Sequence, residues 1–240
     1  MRLIGNIKEV NSLSHAEKDR MFQLMTSYFD NMKREIFDRD LSEKQWVILL
    51  KDSDIGYIRG FSTQMLISEE VDKISVKALF SGDTIIEKEY WGQTELVKVW
   101  GKLVFYLIEK YKDSRLYWFL VSMGYKTYRF LKVYFYEFYP CYNKEFPRFE
   151  KMVLDIFAYK KYTLEYNANA GIIHFNHPKE HLKAGVADVT AQRLSDPHIR
   201  FFVKKNPLYA QGDELACLAE LKEENMKPVL KKNIYGHKLI

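Results

Sequence analysis

The sequence has few of the residues that mark special classes of protein. Two cysteines in 240 residues are too few for a disulfide framework or a four-cysteine zinc site, so Cys141 and Cys217 are expected to be free thiols in a reducing compartment. Six prolines and 11 glycines exclude collagen-like, linker-rich and low-complexity chains. No apolar run approaches the ~20 residues of a membrane span, and residues 1–6 lack the apolar stretch of a signal peptide, so a cytoplasmic protein without a transmembrane segment is expected.

Charge and composition are those of a folded domain. Lysine and arginine number 37 against 32 acidic residues, a net charge of +5 that is spread along the chain and does not argue for nucleic acid. Apolar residues make up 47% of the chain, enough for a sizeable core. The unusual feature is an aromatic content of 15%, with 17 tyrosines, 16 phenylalanines and 4 tryptophans.

The first part of the chain predicts strands and helices in mixed order. Ser14 and Glu17 match a capping box, in which two side chains satisfy free amides at the start of a helix. Short apolar runs separated by polar turns then predict an antiparallel meander. The predicted elements are a strand over 2–10, a helix after Ser14, a helix over 32–44, and strands over 46–50, 55–67 and 74–86.

The second part predicts a crossover. Leu96, Trp100, Leu103 and Leu107 recur at helical spacing, and residues 116–121 form an apolar run typical of a strand buried on both faces. Since a helix joins this strand to the preceding one, the two are expected to be parallel. The other predicted elements are helices over 92–111, from about 125 to 140, over 149–159 and over 187–194, a strand over 171–175, and the segment 214–221, which fits a helix or a strand and is assigned as a strand.

Three segments of this layout resemble the GNAT superfamily of acyl-coenzyme A N-acyltransferases, and in particular a little-characterised bacterial branch of it. They are the strand 74–86, the junction Glu89-Tyr90-Trp91-Gly92-Gln93-Thr94, and the block 117–129 that contains Gly124-Tyr125. The resemblance covers residues 1–140 by element order. It implies an α/β fold with a mixed, mostly antiparallel sheet flanked by helices and a parallel pair at the fourth and fifth strands. No charge block, Ser/Gly linker or repeat marks a domain boundary, so a single GNAT-like domain over 1–240 is expected, in which 141–240 is an extended C-terminal portion.

The resemblance also implies acyl-CoA as a co-substrate, with no cofactor bound permanently. The phosphate loop of the superfamily usually reads Gln/Arg-x-x-Gly-x-Gly/Ala, whereas this chain has Glu89-x-x-Gly92-x-Thr94. An acidic side chain is unfavourable beside a pyrophosphate bound at a helix N-terminus, so an acyl carrier protein is an alternative donor. The residues expected to bind the donor are Ile85, Ile86, Trp91, Gly92, Gln93, Thr94, Lys126 and Arg129.

The stretch 98–135 carries eight basic and two acidic residues, a net charge of +6. A basic rim of this kind would attract a nucleotide phosphate or an acidic carrier protein. The same lysines equally fit a solvated face of two helices.

Amide formation from a thioester needs a base for the amine, donors for the oxyanion and an acid for the thiolate. The resemblance implies a strand carboxylate as base and a tyrosine on the next helix as acid, so the candidate catalytic residues are Asp83, Tyr128, Glu87 and Ser122, with Tyr125 competing for the acid role. Asp83 lies in an apolar strand and must be paired, solvated or protonated. Alternatively, residues 81–84 form a bulge whose aspartate caps local amides.

Several other patterns have an ordinary interpretation beside a functional one. Eleven aromatic residues within 117–139 fit a core, and equally an apolar tunnel for a long acyl chain. The spacing His174-x2-His177-x3-His181 suggests a metal, but no acidic or cysteine partner stands at ligand spacing, so no metal site is expected. Asp213-Glu214 fits turn chemistry, and alternatively an amine-binding contact in the cleft.

The sequence thus predicts an N-acyltransferase that moves an acyl group, acetyl or fatty, from CoA or acyl carrier protein to a primary amine of a peptide, amino acid or small molecule. The alternative is a non-catalytic acyl-CoA or acyl-carrier binding module on the same fold. A homodimer is a further expectation.

Overall fold

The computed structural model describes residues 1–175, 180–186 and 188–235. The strands are β1 (Leu3–Glu9), β2 (Phe29–Asp30), β3 (Trp46–Asp52), β4 (Ile58–Val71), β5 (Ile74–Ile86), β6 (Arg115–Ser122), β7 (Tyr166–Asn167), β8 (Ile172–Ile173), β9 (His181–Leu182) and β10 (Glu214–Glu220). The helices are α1 (His15–Tyr28), α2 (Arg34–Ser42), α3 (Glu95–Lys110), α4 (Tyr125–Tyr134), α5 (Arg148–Lys161), α6 (Pro197–Lys205) and α7 (Pro228–Tyr235).

Eight strands form one central sheet in the order β1-β3-β4-β5-β6-β10-β8-β7. Strands β5 and β6 are parallel, and the other neighbours in this sheet are antiparallel. Strands β2 and β9 form a separate antiparallel pair. The predicted mixed, mostly antiparallel α/β sheet with a parallel pair is confirmed.

Helices cover both faces of the sheet. Leu79 of β5 packs into a core formed with α3, α4, α6 and α7, and the next residue, Phe80, packs into a core formed with α5 on the other face. Successive strand residues point to opposite faces, so this alternation fixes the two layers. Helices α1 and α2 build a third core that includes Ile85 of β5.

Local sequence signals account for several elements. The Ser14–Glu17 capping box is present at the start of α1. Strand β5 has the predicted bounds, and the segment assigned as a strand over 214–221 forms β10 over Glu214–Glu220. Strand β4 runs to Val71, because Asp72 and Lys73 take positive φ values of 48° and 65° and make a tight turn into β5.

Two predictions about helices were wrong. Helix α4 ends at Tyr134 and not near 140, because Phe135 and Tyr139 form β-bridges to Met226 and Leu218. The predicted helix over 187–194 is replaced by a turn at 193–195, and Ala187 lies outside the described residues. The chain instead begins α6 at Pro197, where Asp196 accepts a hydrogen bond from the His198 amide, the usual arrangement of an N-cap residue followed by proline.

Helix α7 was not predicted and packs between α3 and α4. A Cβ atom on Gly101 of α3 would lie 2.2 Å from a side-chain carbon of Ile234, so the two helices approach each other closely at this point. Cys141 and Cys217 are both buried free thiols. No helix within the described residues is long and apolar enough to cross a membrane.

Candidate active site

Strands β5 and β6 separate partway along their length. Their parallel pairing ends at Ser81 opposite Leu120. Beyond this point β5 continues alongside β4 as far as Ile86, while the last residues of β6 pair with β10. A gap therefore opens between the two central strands, because their facing edges are no longer paired with each other.

A β-bulge lies at the start of this gap. Gln64 of β4 pairs with Ser81 and Ser62 pairs with Thr84, so Gly82 and Asp83 together stand opposite Thr63. The bulge that the sequence offered as an alternative for residues 81–84 is therefore confirmed. A bulge bends its strand and increases the local twist, which is how β5 turns away from β6.

Glycine is needed in this bulge because β4 approaches it closely. A Cβ atom on Gly82 would lie 2.7 Å from Thr63 Oγ1 and 3.0 Å from Lys44 Cε. Thr63 is buried, and its hydroxyl has no hydrogen-bond partner among the described residues. Since Phe61 and Met65 on the same strand face α2 and α5, Thr63 faces that side as well.

The open edge of β5 presents backbone groups to the gap. The Glu87 amide donates to the Arg59 carbonyl at 2.8 Å, which makes this a hydrogen-bonded pair of the antiparallel ladder. Such pairs alternate with pairs whose N–H and C=O groups point away from the partner strand. The backbone groups of Thr84 and Ile86 therefore face the gap, whereas those of Ile85 face β4 and its side chain is buried.

Asp83 lies at the base of the gap on the face of α2 and α5. The residue as a whole is half-buried, and its carboxyl group is surrounded by protein. Burial, and next the negative charge of Asp40, raise the pKa of Asp83 to about 7. Glu180 and Glu214 raise this pKa further and Lys44 opposes them, so charged groups from several elements converge on one carboxyl group.

An ion-pair cluster with two buried lysines lies beside Asp83. Lys44 Nζ, which has no exposed surface, donates to Asp40 Oδ2 at 2.6 Å. Lys161 of α5 donates to Asp40 Oδ1 at 3.0 Å and also pairs with Glu43. Burial lowers the pKa of Lys44. The cluster ties α2 to α5 across the face of the sheet next to the bulge.

Aromatic rings line the same face. The Phe80 ring packs 5.3 Å from Phe119 and 6.5 Å from Tyr162. Burial, with the negative charge of Glu214 next in importance, raises the pKa of Tyr162 well above its usual range. Aromatic rings and an ion-pair cluster thus both lie on the face of the sheet that carries Asp83.

On the opposite face, the turn before α3 has the geometry of an anion site. Gly92 takes φ +90°, and within the described residues no partner is found for the amides of Gly92 and Thr94. A cavity of about 540 Å³ lies beside the turn and is lined by the basic residues Arg2, Lys98 and Lys232 and by the acidic Glu95, whose carboxylate accepts from the Gly5 amide and pairs with Lys98. The Gln93 side chain turns away and accepts a hydrogen bond from the Leu3 amide at 2.9 Å.

Trp91 covers part of the gap. Its indole Nε1 donates to the Ile86 carbonyl at 2.8 Å, and Lys126 Nζ lies 4.0 Å from the centre of its ring. Lys126 also donates to the Val186 carbonyl at 2.5 Å, and burial lowers its pKa. Arg129, the last predicted donor-binding residue, lies 4.0 Å from the Asp196 carboxylate.

The other predicted catalytic side chains do not join Asp83. Glu87 pairs with Arg20 and, at 2.9 Å, with Arg59. Tyr128 is fully buried and donates to the Pro140 carbonyl at 2.9 Å, and burial raises its pKa. Ser122 is buried and donates to the Gly124 carbonyl at 2.8 Å. The catalytic roles of these three remain predictions.

Most of the dense aromatic segment belongs to the core. Within 117–139 eight of the aromatic side chains are buried, among them Phe119 and Phe135 with no exposed surface, while Phe130 and Tyr136 are exposed. His174 Nδ1 lies 2.8 Å from Asp213, and His177 lies outside the described residues. No group of three or more metal-ligating side chains occurs in the described part of the chain.

Sequence reasoning missed two ionic residues of the site. Asp40 and Lys44 stand four residues apart, the spacing of an ion pair on one helix face, which was the available signal. Asp213-Glu214 fits turn chemistry in the sequence, with an amine contact as the alternative. In the structure Glu214 begins β10, and its charge raises the pKa of Asp83.

No protein-family model and no curated protein matches the chain. Three solved structures align with just over half of it. They are a protein of unknown function from Enterococcus faecalis described as a probable N-acyltransferase (16% identity, 56% of this chain, TM-score 0.41), a GNAT family N-acetyltransferase from Escherichia coli in complex with CoA (13%, 54%, 0.38), and glucosamine-6-phosphate N-acetyltransferase from Arabidopsis thaliana (16%, 60%, 0.39). The chain covers 33%, 69% and 95% of those proteins, respectively.

Identities and TM-scores this low carry no argument about activity. The architecture rests on the chain's own topology, with the parallel pair of β5 and β6, their separation after Ser81 and Leu120, and the helical crossover between them. These features are the mixed α/β architecture that the resemblance to the GNAT superfamily led us to expect.

Proposed function

We propose that this chain is an N-acyltransferase that transfers an acyl group from a coenzyme A thioester to a primary amine. The observation that carries the proposal is the position of Asp83 at the bulge where the parallel strands β5 and β6 separate. Burial raises the pKa of its carboxyl group to about 7. A base acts best when its pKa lies near the operating pH. The open edge of β5 supplies backbone N–H and C=O groups that can pair with the amides of the coenzyme A arm.

The donor would lie along the open edge of β5. An extended arm that carries amides pairs with the gap-facing backbone groups of Thr84 and Ile86 as an added strand would. Its phosphates would lie near the turn at Gly92 and Thr94, where free amides and the start of α3 favour negative charge. Trp91 must move for the full arm to bind, because its indole occupies the Ile86 carbonyl.

The acceptor amine would approach from the face of α2 and α5. There the Asp83 carboxylate accepts a proton from the amine, and the amine nitrogen forms a bond with the thioester carbonyl carbon. The Thr84 amide is positioned to donate to the oxyanion that forms. The carbon–sulfur bond then breaks, and the thiolate leaves without a dedicated acid because thiols have pKa values near 8.5.

Acetyl is the acyl group we propose, since most aromatic side chains of 117–139 are packed in the core. The experiment below also tests a fatty acyl group, and an acyl carrier protein in place of CoA as the donor. The C-terminal portion beyond residue 140 contributes to the acceptor side through Lys161, Tyr162 and Glu214.

The test is thiol release from acetyl-CoA, a long-chain acyl-CoA and an acylated carrier protein, with a pool of amines and detection of the amide by mass spectrometry. Asp83→Asn should lower turnover about a hundredfold or more. Ser68→Ala, which removes a hydrogen bond to Lys77 far from the bulge, is the control and should leave turnover unchanged. Donor binding without turnover would favour the binding module, and absence of both would reject the proposal.

A further inference from the structure

A row of hydrogen-bonded polar side chains crosses the sheet at the bulge. Trp118 Nε1 donates to Ser81 Oγ at 2.9 Å, and Ser81 Oγ donates to Gln64 Oε1 at 2.8 Å. Gln64 Nε2 donates to Ser62 Oγ at 2.8 Å, and this oxygen lies 2.7 Å from Thr84 Oγ1. These five residues, here named the polar row, link β6, β5 and β4 on the face that packs against α3 and α4.

The polar row brackets the bulge on both sides. Gln64 and Ser81 form the last pair before it, and Ser62 and Thr84 form the first pair after it. Because strand side chains alternate between faces, a one-residue slip at this point would move Asp83 to the other side of the sheet. Hydrogen bonds across both flanking pairs oppose that slip, and the Trp118 bond fixes the same point of β5 against β6.

Two polar members of the row, Ser62 and Gln64, are buried, which has a free-energy cost. Gln64 has no exposed surface and Ser62 is 3% exposed. A buried amide or hydroxyl destabilises the fold unless its hydrogen bonds are made, and apolar residues of similar shape would pack there equally well. The row makes its bonds in sequence from one residue to the next, which points to a geometric role and not to stability alone.

We propose that Gln64 is a positioning residue that holds the bulge, and through it the Asp83 carboxyl group, in the geometry required for acyl transfer. Gln64 accepts from Ser81 with its amide oxygen and donates to Ser62 with its amide nitrogen, so one side chain spans both pairs beside the bulge. It lies on the opposite face from Asp83 and does not contact the reacting atoms. The effect on turnover rests on the function proposed above, whereas the effect on Asp83 itself does not.

The experiment compares Gln64→Met, which keeps the length of the side chain, with Ser81→Ala and Ser81→Thr, which remove and keep the hydroxyl. Ser68→Ala is again the control, because it removes a cross-strand bond between the same two strands away from the bulge. The readouts are the titration of the Asp83 carboxyl carbon by NMR and the pH profile of turnover in the full-length chain.

A loosened bulge lets water reach Asp83, so Gln64→Met and Ser81→Ala should lower its pKa from about 7 towards the ordinary value of 3.8. Turnover should fall about ten- to a hundredfold in kcat, with little change in the KM of the amine. Ser81→Thr and Ser68→Ala should match the wild type in both readouts.

An unchanged Asp83 titration in both Gln64→Met and Ser81→Ala would overturn the inference. If Gln64→Met does not fold, Ser81→Ala and Trp118→Phe decide the question by the same titration. A wild-type protein without turnover would reject the proposed function, while the NMR measurement would still decide whether the polar row positions Asp83.

Discussion

The indole of Trp91 is hydrogen-bonded to the carbonyl of Ile86, the last residue of β5, at 2.8 Å. This carbonyl belongs to the open edge along which we place the donor. Trp91 is 42% exposed, and Lys126 makes a cation–π contact with its ring. The side chain is therefore held by one hydrogen bond and one cation–π contact, both of which a ligand can replace. The free protein thus covers part of its own proposed donor site.

Replacing Trp91 with phenylalanine should tighten donor binding. The variant lacks the indole N–H, so binding no longer breaks a hydrogen bond worth about 1 kcal/mol, and the Kd for CoA should fall about fivefold. Calorimetric titration measures this directly. Tyr106→Phe, on the exposed face of α3, should bind as the wild type does, and weaker binding by Trp91→Phe would mean that the indole serves the donor.

The pKa of Asp83 predicts opposite effects on activity and stability. Turnover should rise with pH through about 7, as the base loses its proton. Because the folded chain binds this proton more tightly than the unfolded chain, stability should fall as the pH rises from 3.8 to about 7. Asp83→Asn should therefore be the more stable protein at pH 8, with a difference that shrinks towards pH 4. Urea unfolding at both pH values would show it, and a less stable variant at pH 8 would contradict the burial of the carboxyl group.

Asp40 and Lys44 should move the pH profile in opposite directions. The Asp40 charge raises the pKa of Asp83 and the Lys44 charge lowers it. Asp40→Asn should shift the acid limb of the turnover profile to lower pH, and Lys44→Met should shift it to higher pH. Shifts in the same direction would mean that the variants act through misfolding and not through charge.

Gly82→Ala should damage both the fold and the reaction. The new methyl group would lie 2.7 Å from Thr63 Oγ1, so β4 or the bulge must move, at a cost of about 1–3 kcal/mol in the free energy of unfolding. Activity should fall by more than stability explains, since the displacement occurs next to Asp83. Gly56→Ala is the comparison, because no atom lies within 4 Å of the added group and the cost there comes from its φ of +71° alone.

The contact between Gly101 and Ile234 can be tested by paired substitutions. Gly101→Ala places a methyl group 2.2 Å from an Ile234 carbon and should displace α7, although alanine favours the helix itself by about 1 kcal/mol. Adding Ile234→Ala should recover part of the lost stability, which thermal unfolding of the two single variants and the double variant would measure. An additive double variant would show that the two residues do not clash.

The sequence by itself determined the order of the central elements. The capping box at Ser14, the apolar run of β6 and the helical period of α3 are local signals, and each reports a backbone conformation that depends on nearby residues. The sequence also indicated Asp83 as a candidate residue, because it is an acidic residue within an apolar strand. Local sequence signals did not predict helix α7 or the early end of α4, because both depend on contacts between distant parts of the chain.

Tertiary structure alone decided how Asp83 is surrounded. Asp40, Glu180 and Glu214 come from three distant segments, and their charges meet at one carboxyl group because the sheet and α2 bring them together. Likewise, the sequence position of Tyr128 fits the predicted acid for the thiolate, but in the folded chain its hydroxyl donates to the Pro140 carbonyl. Burial and electrostatic potential depend on everything nearby in space, so they follow from the fold and not from the local order of residues.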